Sequence, residues 1–245
     1  MKVAAIIQAR MGSTRLPGKV LKKVLNKTLL EYQIERVKRA KTIDEIIIAT
    51  TTKESDNPIV ELCEHLSVPY YRGSEEDVLS RYYEAATEFN VDVIVRLTSD
   101  CPIIDPNVID KVVKHYNDNL GQFDYVSNTL TRTYPRGMDT EVISYEVLER
   151  VYKEAKELVY REHVTAYIYH HPNQFKLCNV SYEKDESKHR WTVDTKEDFE
   201  LIEKIISELY SENTYFNIED VLMVVNKNQS WLDINRHIEQ KKLFN

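Results

Sequence analysis

Apolar and polar positions switch repeatedly between a strand-like and a helix-like spacing along the chain. Residues 3–9 form a continuous apolar run, too short for a helix and suited to a buried strand. Leu30, Ile34 and Val37 then recur at helical spacing, and Ile46 to Ile48 centre a second strand over residues 45–51. Asp56 or Asn57 as N-cap, with Pro58 in the first turn, predicts a helix that buries Ile59, Leu62, Cys63 and Leu66. A short strand at 69–72 and a helix on Leu79, Tyr82, Ala86 and Phe89 follow. Residues 91–97 are the best candidate for a parallel strand, and Asp105-Pro106 opens a helix on Val108, Ile109, Val112, Val113 and Tyr116.

Beyond residue 120 the pattern loosens. Residues 124–127 and 141–144 are strand-like, separated by an irregular polar stretch at 130–140 of the kind that usually serves as a functional loop. Helical patterns at 145–155 and 162–171 precede a strand at 175–181. Thr195 and Asp198 have capping-box spacing ahead of Phe199, Ile202, Ile205, Ile206 and Leu209, and a last helix is expected around Ile218, Val221, Leu222 and Val225. Alternating strands and helices predict one α/β domain over residues 1–245, with a mostly parallel, Rossmann-like sheet flanked by helices.

Composition narrows the class. The chain of 245 residues holds only five glycines and seven prolines, and no linker-like or repeated segment divides it. No apolar run reaches the ~20 residues of a membrane span, and Met1-Lys2 leads straight into a strand, so a cytoplasmic protein without a membrane partner is expected. Cys63, Cys101 and Cys178 are far apart and read as reduced thiols. The net charge of −7 conceals a basic corner: eleven of the 33 Lys and Arg lie within residues 1–41, against Glu31 and Glu35 alone. An acidic protein with one basic corner suits a compact polyanion such as a nucleoside triphosphate better than a nucleic acid.

The chemistry concentrates where strands end. Open parallel sheets bind ligands outside the carboxyl ends of their strands. The first run ends in Ala9-Arg10-Met11-Gly12-Ser13-Thr14-Arg15-Leu16-Pro17-Gly18-Lys19, where Arg10, Arg15 and Lys19 supply three cations and the glycines permit close approach to phosphate. Neither a P-loop nor a dinucleotide fingerprint can be read there. Asp100 follows the strongest strand and Asp194 precedes the capped helix. Brought together, the two carboxylates would hold Mg²⁺, which takes one or two carboxylates beside phosphate oxygens and water. Thr50 and the segment from Ser74 to Arg81 are placed to meet base and ribose.

The loop resembles the CTP-binding signature of the sugar-acid cytidylyltransferases, the family of CMP-Kdo and CMP-sialic acid synthetases, through Ala9, Arg10, Ser13, Arg15, Leu16, Pro17 and Lys19. Residues 95–104 and 193–199 are similar to two further segments of that family, with Ser99, Cys101 and Lys196 as departures, and the resemblance implies that Asp100 and Asp194 ligate the catalytic magnesium. Residues 73–83, 134–142 and 161–165 resemble the spore coat polysaccharide, SpsF-type, branch. That likeness implies an acceptor-binding part at about 130–165, with Arg136, Asp139, Glu141, Arg161 and His163 as contacts.

The implied reaction is transfer of CMP from CTP to an acidic sugar with release of pyrophosphate, for surface or spore coat polysaccharide biosynthesis. Lys19, Arg10 and Arg15 are the expected catalytic residues. Ala9, Gly12, Ser13, Thr50, Ser74 and Arg81 join them in nucleotide binding. Cytosine selection is implied by the resemblance alone. A glycosyltransferase of similar fold remains open, although Ser99-Asp100-Cys101 lacks the second acid of an Asp-x-Asp motif, as does a non-catalytic nucleotide-binding relative. Monomer and homodimer also both remain open.

Overall fold

The structure is a computed structural model that describes residues 1–240. Seven strands build its main sheet: β1 (Val3–Gln8), β4 (Glu45–Thr51), β5 (Tyr70–Gly73), β6 (Val93–Thr98), β7 (Tyr125–Ser127), β8 (Glu141–Ser144) and β9 (Leu177–Asn179). Their spatial order is β5-β4-β1-β6-β8-β7-β9. All run parallel except β8, which is antiparallel to both β6 and β7. A small hairpin of β2 (Lys23–Val24) and β3 (Lys27–Thr28) stands apart from the sheet.

The strand runs split by period two into two cores. Ala5, Ile7, Ile46, Ile48, Val93, Val95 and Leu97 face α1 (Leu29–Val37), α2 (Asn57–His65) and α4 (Pro106–Asp118). Ala4, Ile6, Ile47, Ala49 and Ile94 face α3 (Val78–Glu88), α5 (Tyr145–Glu154) and α7 (Ala166–His170). Both faces are buried, which is why these strands are apolar at successive positions and do not alternate with polar ones. Each fully buried Ile is worth roughly 2 kcal/mol of transfer free energy. Cys63 lies inside the first core, where burial pushes its thiol up to about 12.

A third core joins α8 (Lys196–Leu209) and α9 (Ile218–Lys227) to Trp191, Val193, Tyr134 and Met138. Both helices start with capping boxes, Thr195 with Asp198 and Asn217 with Asp220. The chain ahead of α8 is not a strand: Arg136 and Arg190 form an isolated bridge, and the Val193 N–H donates to the Asp100 carbonyl at 2.8 Å. The helix expected at 162–171 forms only as α7, while α6 (Leu158–Glu162) lies ahead of it, and Val164 between them adopts a φ of 41° that no helix accepts.

Gly137 makes the third core possible. Its φ is 103°, and a Cβ there would stand 2.7 Å from the Trp191 carbonyl oxygen. The Trp191 indole is fully buried, so the backbone has little room to retreat. Gly137→Ala should therefore destabilise the protein by about 3 kcal/mol, combining overpacking with a forbidden φ. Urea unfolding at neutral pH measures it, and a change below about 1 kcal/mol would show that the 191–194 segment shifts freely.

Candidate active site

The loop after β1 is folded around Met11. Its carbonyl accepts from the backbone N–H of Ser13 at 2.8 Å and of Gly18 at 3.0 Å, so the turn closes on itself. Gly18 sits at a φ of 66°, in the left-handed region. A short 3-10 turn at Lys19–Leu21 then sends Lys19 back under the sheet's carboxyl edge.

Lys19 ties the loop to both candidate metal-binding aspartates. Its ammonium donates to Asp194 Oδ1 at 2.9 Å and to the Val193 carbonyl at 2.7 Å, and it stands 3.6 Å from Asp100 Oδ2. Burial works to lower the Lys19 pKa, but Asp100 and Asp194 outweigh it and hold the group above its ordinary value. Burial likewise pushes the Asp100 carboxyl up, and Lys19 with the Thr98 hydroxyl reverses the sign, leaving it below the usual range.

Asp194 is held from behind. Arg15 reaches its Oδ2 at 3.0 Å and Arg190 reaches the same atom at 2.8 Å. Arg190 also pairs with the fully buried Asp198 at 2.8 Å, and Asp198 accepts from the Asp194 backbone N–H at 2.9 Å and from Asn235 at 2.9 Å. Burial raises the Asp198 carboxyl, while the bonds from Arg190 and Asn235 prevail and keep it depressed. One capping residue therefore starts a helix and orients the site at once.

These groups open on a cleft of about 250 Å³ whose lining includes Arg10, Gly12, Ser13, Arg15, Lys19, Arg81, Asp100 and Asp194. Gln8, Ala9, Arg96, Glu162 and His163 also line it. Arg81 is buried, donates to the Ser74 carbonyl at 2.8 Å, and has its pKa lowered by burial. Burial also lowers the His163 pKa, with Arg96 adding to the effect against Glu162. Two carboxylates are too few to cage a metal, and among the described residues no group of three or more His, Cys, Asp or Glu gathers to do so. A pair already sharing one cation does fit an ion that draws its other ligands from phosphate and water.

Other expected contacts lie elsewhere. Thr50 is buried inside β4, and Ser74 is an exposed turn residue that meets the cleft through Arg81. Asp139 is engaged by both terminal nitrogens of Arg132, at 2.5 and 2.7 Å. Glu141 is buried behind the wall, paired with Arg96 at 2.9 Å and bonded by the Thr165 hydroxyl. Arg161 is committed to Asp77, at 2.9 Å from Nε, and to the Tyr152 carbonyl. Arg136 lines a separate cavity beside Trp191, Leu201 and Val225. Arg96, Arg190 and Asp56, none of them singled out above as site residues, join or support the cleft. Arg96 is the one a closer reading could have found, since a lone arginine interrupts an otherwise apolar strand.

The sequence profile of the cytidylyltransferase family matches residues 4–232. The chain belongs to the cytidylyltransferase family. A cytidylyltransferase from Leptospira borgpetersenii superposes with a TM-score of 0.91 at 36% identity, over 99% of this chain and 100% of that one. The spore coat polysaccharide biosynthesis protein SpsF of Bacillus subtilis is 34% identical over 91% of this chain and 93% of its own length. An uncharacterized protein of Methanocaldococcus jannaschii is 43% identical over 98% and 97%. As a cytidylyltransferase the chain is an enzyme that uses CTP as nucleotidyl donor. No helix among its described residues is long and apolar enough to cross a membrane.

The Arg190–Asp198 clamp has a measurable signature. Asp198→Asn should cost about 3 kcal/mol at pH 7, because it leaves a buried guanidinium under-compensated. Asp198 has a depressed folded pKa, so its contribution is present above the unfolded carboxyl value and fades as the pH falls below about 4. Urea unfolding should therefore find wild type and variant converging on acidification, and a gap independent of pH would refute the assignment.

Proposed function

We propose that this cytidylyltransferase transfers CMP from CTP to a hydroxyl of an acidic sugar of the Kdo or nonulosonic-acid class, for surface or spore coat polysaccharide biosynthesis. The observation that carries the reading is the convergence of Lys19, Arg15, Asp100 and Asp194 at one point of the cleft. The kinship with SpsF supports the pathway, and the resemblance to sugar-acid synthetases supports the acceptor class.

In this reading the acceptor oxygen attacks the α-phosphorus in line, an O–P bond forms, and the bond to the pyrophosphate oxygen breaks. Arg10, Arg15 and Lys19 bind the triphosphate, and Lys19 meets charge growing on the leaving group. Gly12 and Ser13 let the loop backbone approach phosphate, and Arg81 faces the nucleoside side. Asp100 and Asp194 would hold Mg²⁺, which when bound neutralises phosphate charge and makes an adjacent hydroxyl more acidic. On the acceptor side, burial lowers the His163 pKa and so favours the neutral ring, which can accept a hydrogen bond from a sugar hydroxyl. Glu141 supports that wall from behind through Arg96.

Pyrophosphate release measured with each of the four NTPs against a panel of 3-deoxy-2-ulosonic acids, nonulosonic acids included, tests the reading directly. CTP with an acidic sugar should be the productive pair. Turnover only with neutral sugars or phosphorylated alcohols would overturn the acceptor class.

Two sets of variants probe the machinery. Lys19→Ala should reduce kcat/KM by two to three powers of ten, about 3 to 4 kcal/mol, with circular dichroism unchanged. Asp100→Asn and Asp194→Asn should each weaken the Mg²⁺ dependence of turnover, and the double variant should be little worse than either, because one ion serves both. Fully additive losses would separate the two aspartates.

A further inference from the structure

Asp56 occupies the N-cap position of α2, yet its side chain makes no capping bond. The local reason is its backbone, at φ −94° and ψ 0°, which is helical and not the extended conformation from which an N-cap oxygen reaches the helix amides; Pro58 also removes the second of those amides. The carboxylate is only 2% exposed and turns the other way. Its Oδ1 accepts from the Met11 backbone N–H at 2.7 Å across 45 residues, and its Oδ2 accepts from the Thr51 hydroxyl at the end of β4.

Met11 is the residue around which the loop closes. Its carbonyl gathers the Ser13 and Gly18 amides, and the methyl end of its side chain lies 3.2 Å from where a Gly18 Cβ would be. Asp56 therefore fixes the third corner of that residue from a rigid strand end. Its charge also reaches Arg81 on the cleft wall. A buried carboxylate is costly unless fully bonded, and it binds an amide more strongly than a neutral acceptor would. That makes it a stiff anchor for a segment whose Arg10, Arg15 and Lys19 repel one another.

We propose that Asp56 is a positioning residue for the CTP-binding loop: by holding the Met11 N–H it keeps Arg10, Arg15 and Lys19 in the geometry that receives the triphosphate. The proposal rests on the CTP-loop reading above. Asp56 touches no substrate, and its effect passes through the loop backbone.

Steady-state kinetics on the full chain separate this from simple stabilisation. Asp56→Ala should raise KM for CTP about tenfold or more and lower kcat, with acceptor KM within about twofold, since small misplacements of binding groups are amplified in rate. Asp56→Asn should recover most of the loss, because its amide oxygen still accepts from Met11 and its NH₂ can donate to Thr51. Hydrogen exchange at the Met11 amide should accelerate in Asp56→Ala and stay slow in Asp56→Asn. If Asp56→Ala does not fold, Thr51→Val frees the carboxylate and should raise CTP KM about threefold. Lower thermal stability with unchanged CTP KM, or an Asn variant as impaired as Ala, would overturn the role. Lys19→Ala is the control: if it too leaves CTP KM and kcat unchanged, the loop reading itself has failed, whereas a damaged Lys19 variant beside a normal Asp56→Ala condemns only the proposal.

Discussion

The ammonium of Lys19 between Asp100 and Asp194 is the interaction on which the rest depends. Two carboxylates facing one point repel each other and resist burial, so the arrangement needs a cation at its centre. The segments that meet there come from three distant parts of the chain. Each is stiffened by different means: Lys19 by a loop closed on Met11, Asp100 by the end of β6, and Asp194 by Arg190 and Asp198. Arg15 and Arg190 share the second oxygen of Asp194, so that carboxylate is held by cations other than Lys19 as well.

Topology decides where this happens. From β1 the chain moves outward to β4 and β5, then returns to place β6 on the other flank of β1. The carboxyl ends of β1 and β6 therefore lie side by side where the strand order reverses, the point at which open α/β sheets leave a crevice. The cationic loop leaves β1 and Thr98-Ser99-Asp100 leaves β6 into that crevice.

Local signals carried over into the structure most directly. The loop motif, the aspartate after the best strand and the Thr195–Asp198 capping box each depend on residues within a few positions of one another, and all are found where those patterns put them. The supports were not legible. Arg161 and Asp77 are 84 residues apart and Arg96 and Glu141 45 apart, and a guanidinium leaves no periodic trace of which carboxylate it will meet. Asp56 was legible as a helix start but not as a loop anchor, because its helical backbone and the proximity of Met11 are evident only in three dimensions.

The reversed strand β8 explains where the less regular part of the chain joins the sheet. Because β8 runs against β6, its first residue, Glu141, pairs with Arg96 near the carboxyl end of β6. Because β7 runs against β8, its last residue, Ser127, pairs with Glu141 as well. The irregular segment between Ser127 and Glu141 thus leaves and re-enters the sheet on the ligand side. A parallel β8 would have required a crossover and put one end of that segment at the far edge. The antiparallel insertion thus attaches the irregular segment at the carboxyl end of β6 while the parallel pairing of β1 with β6 is kept intact.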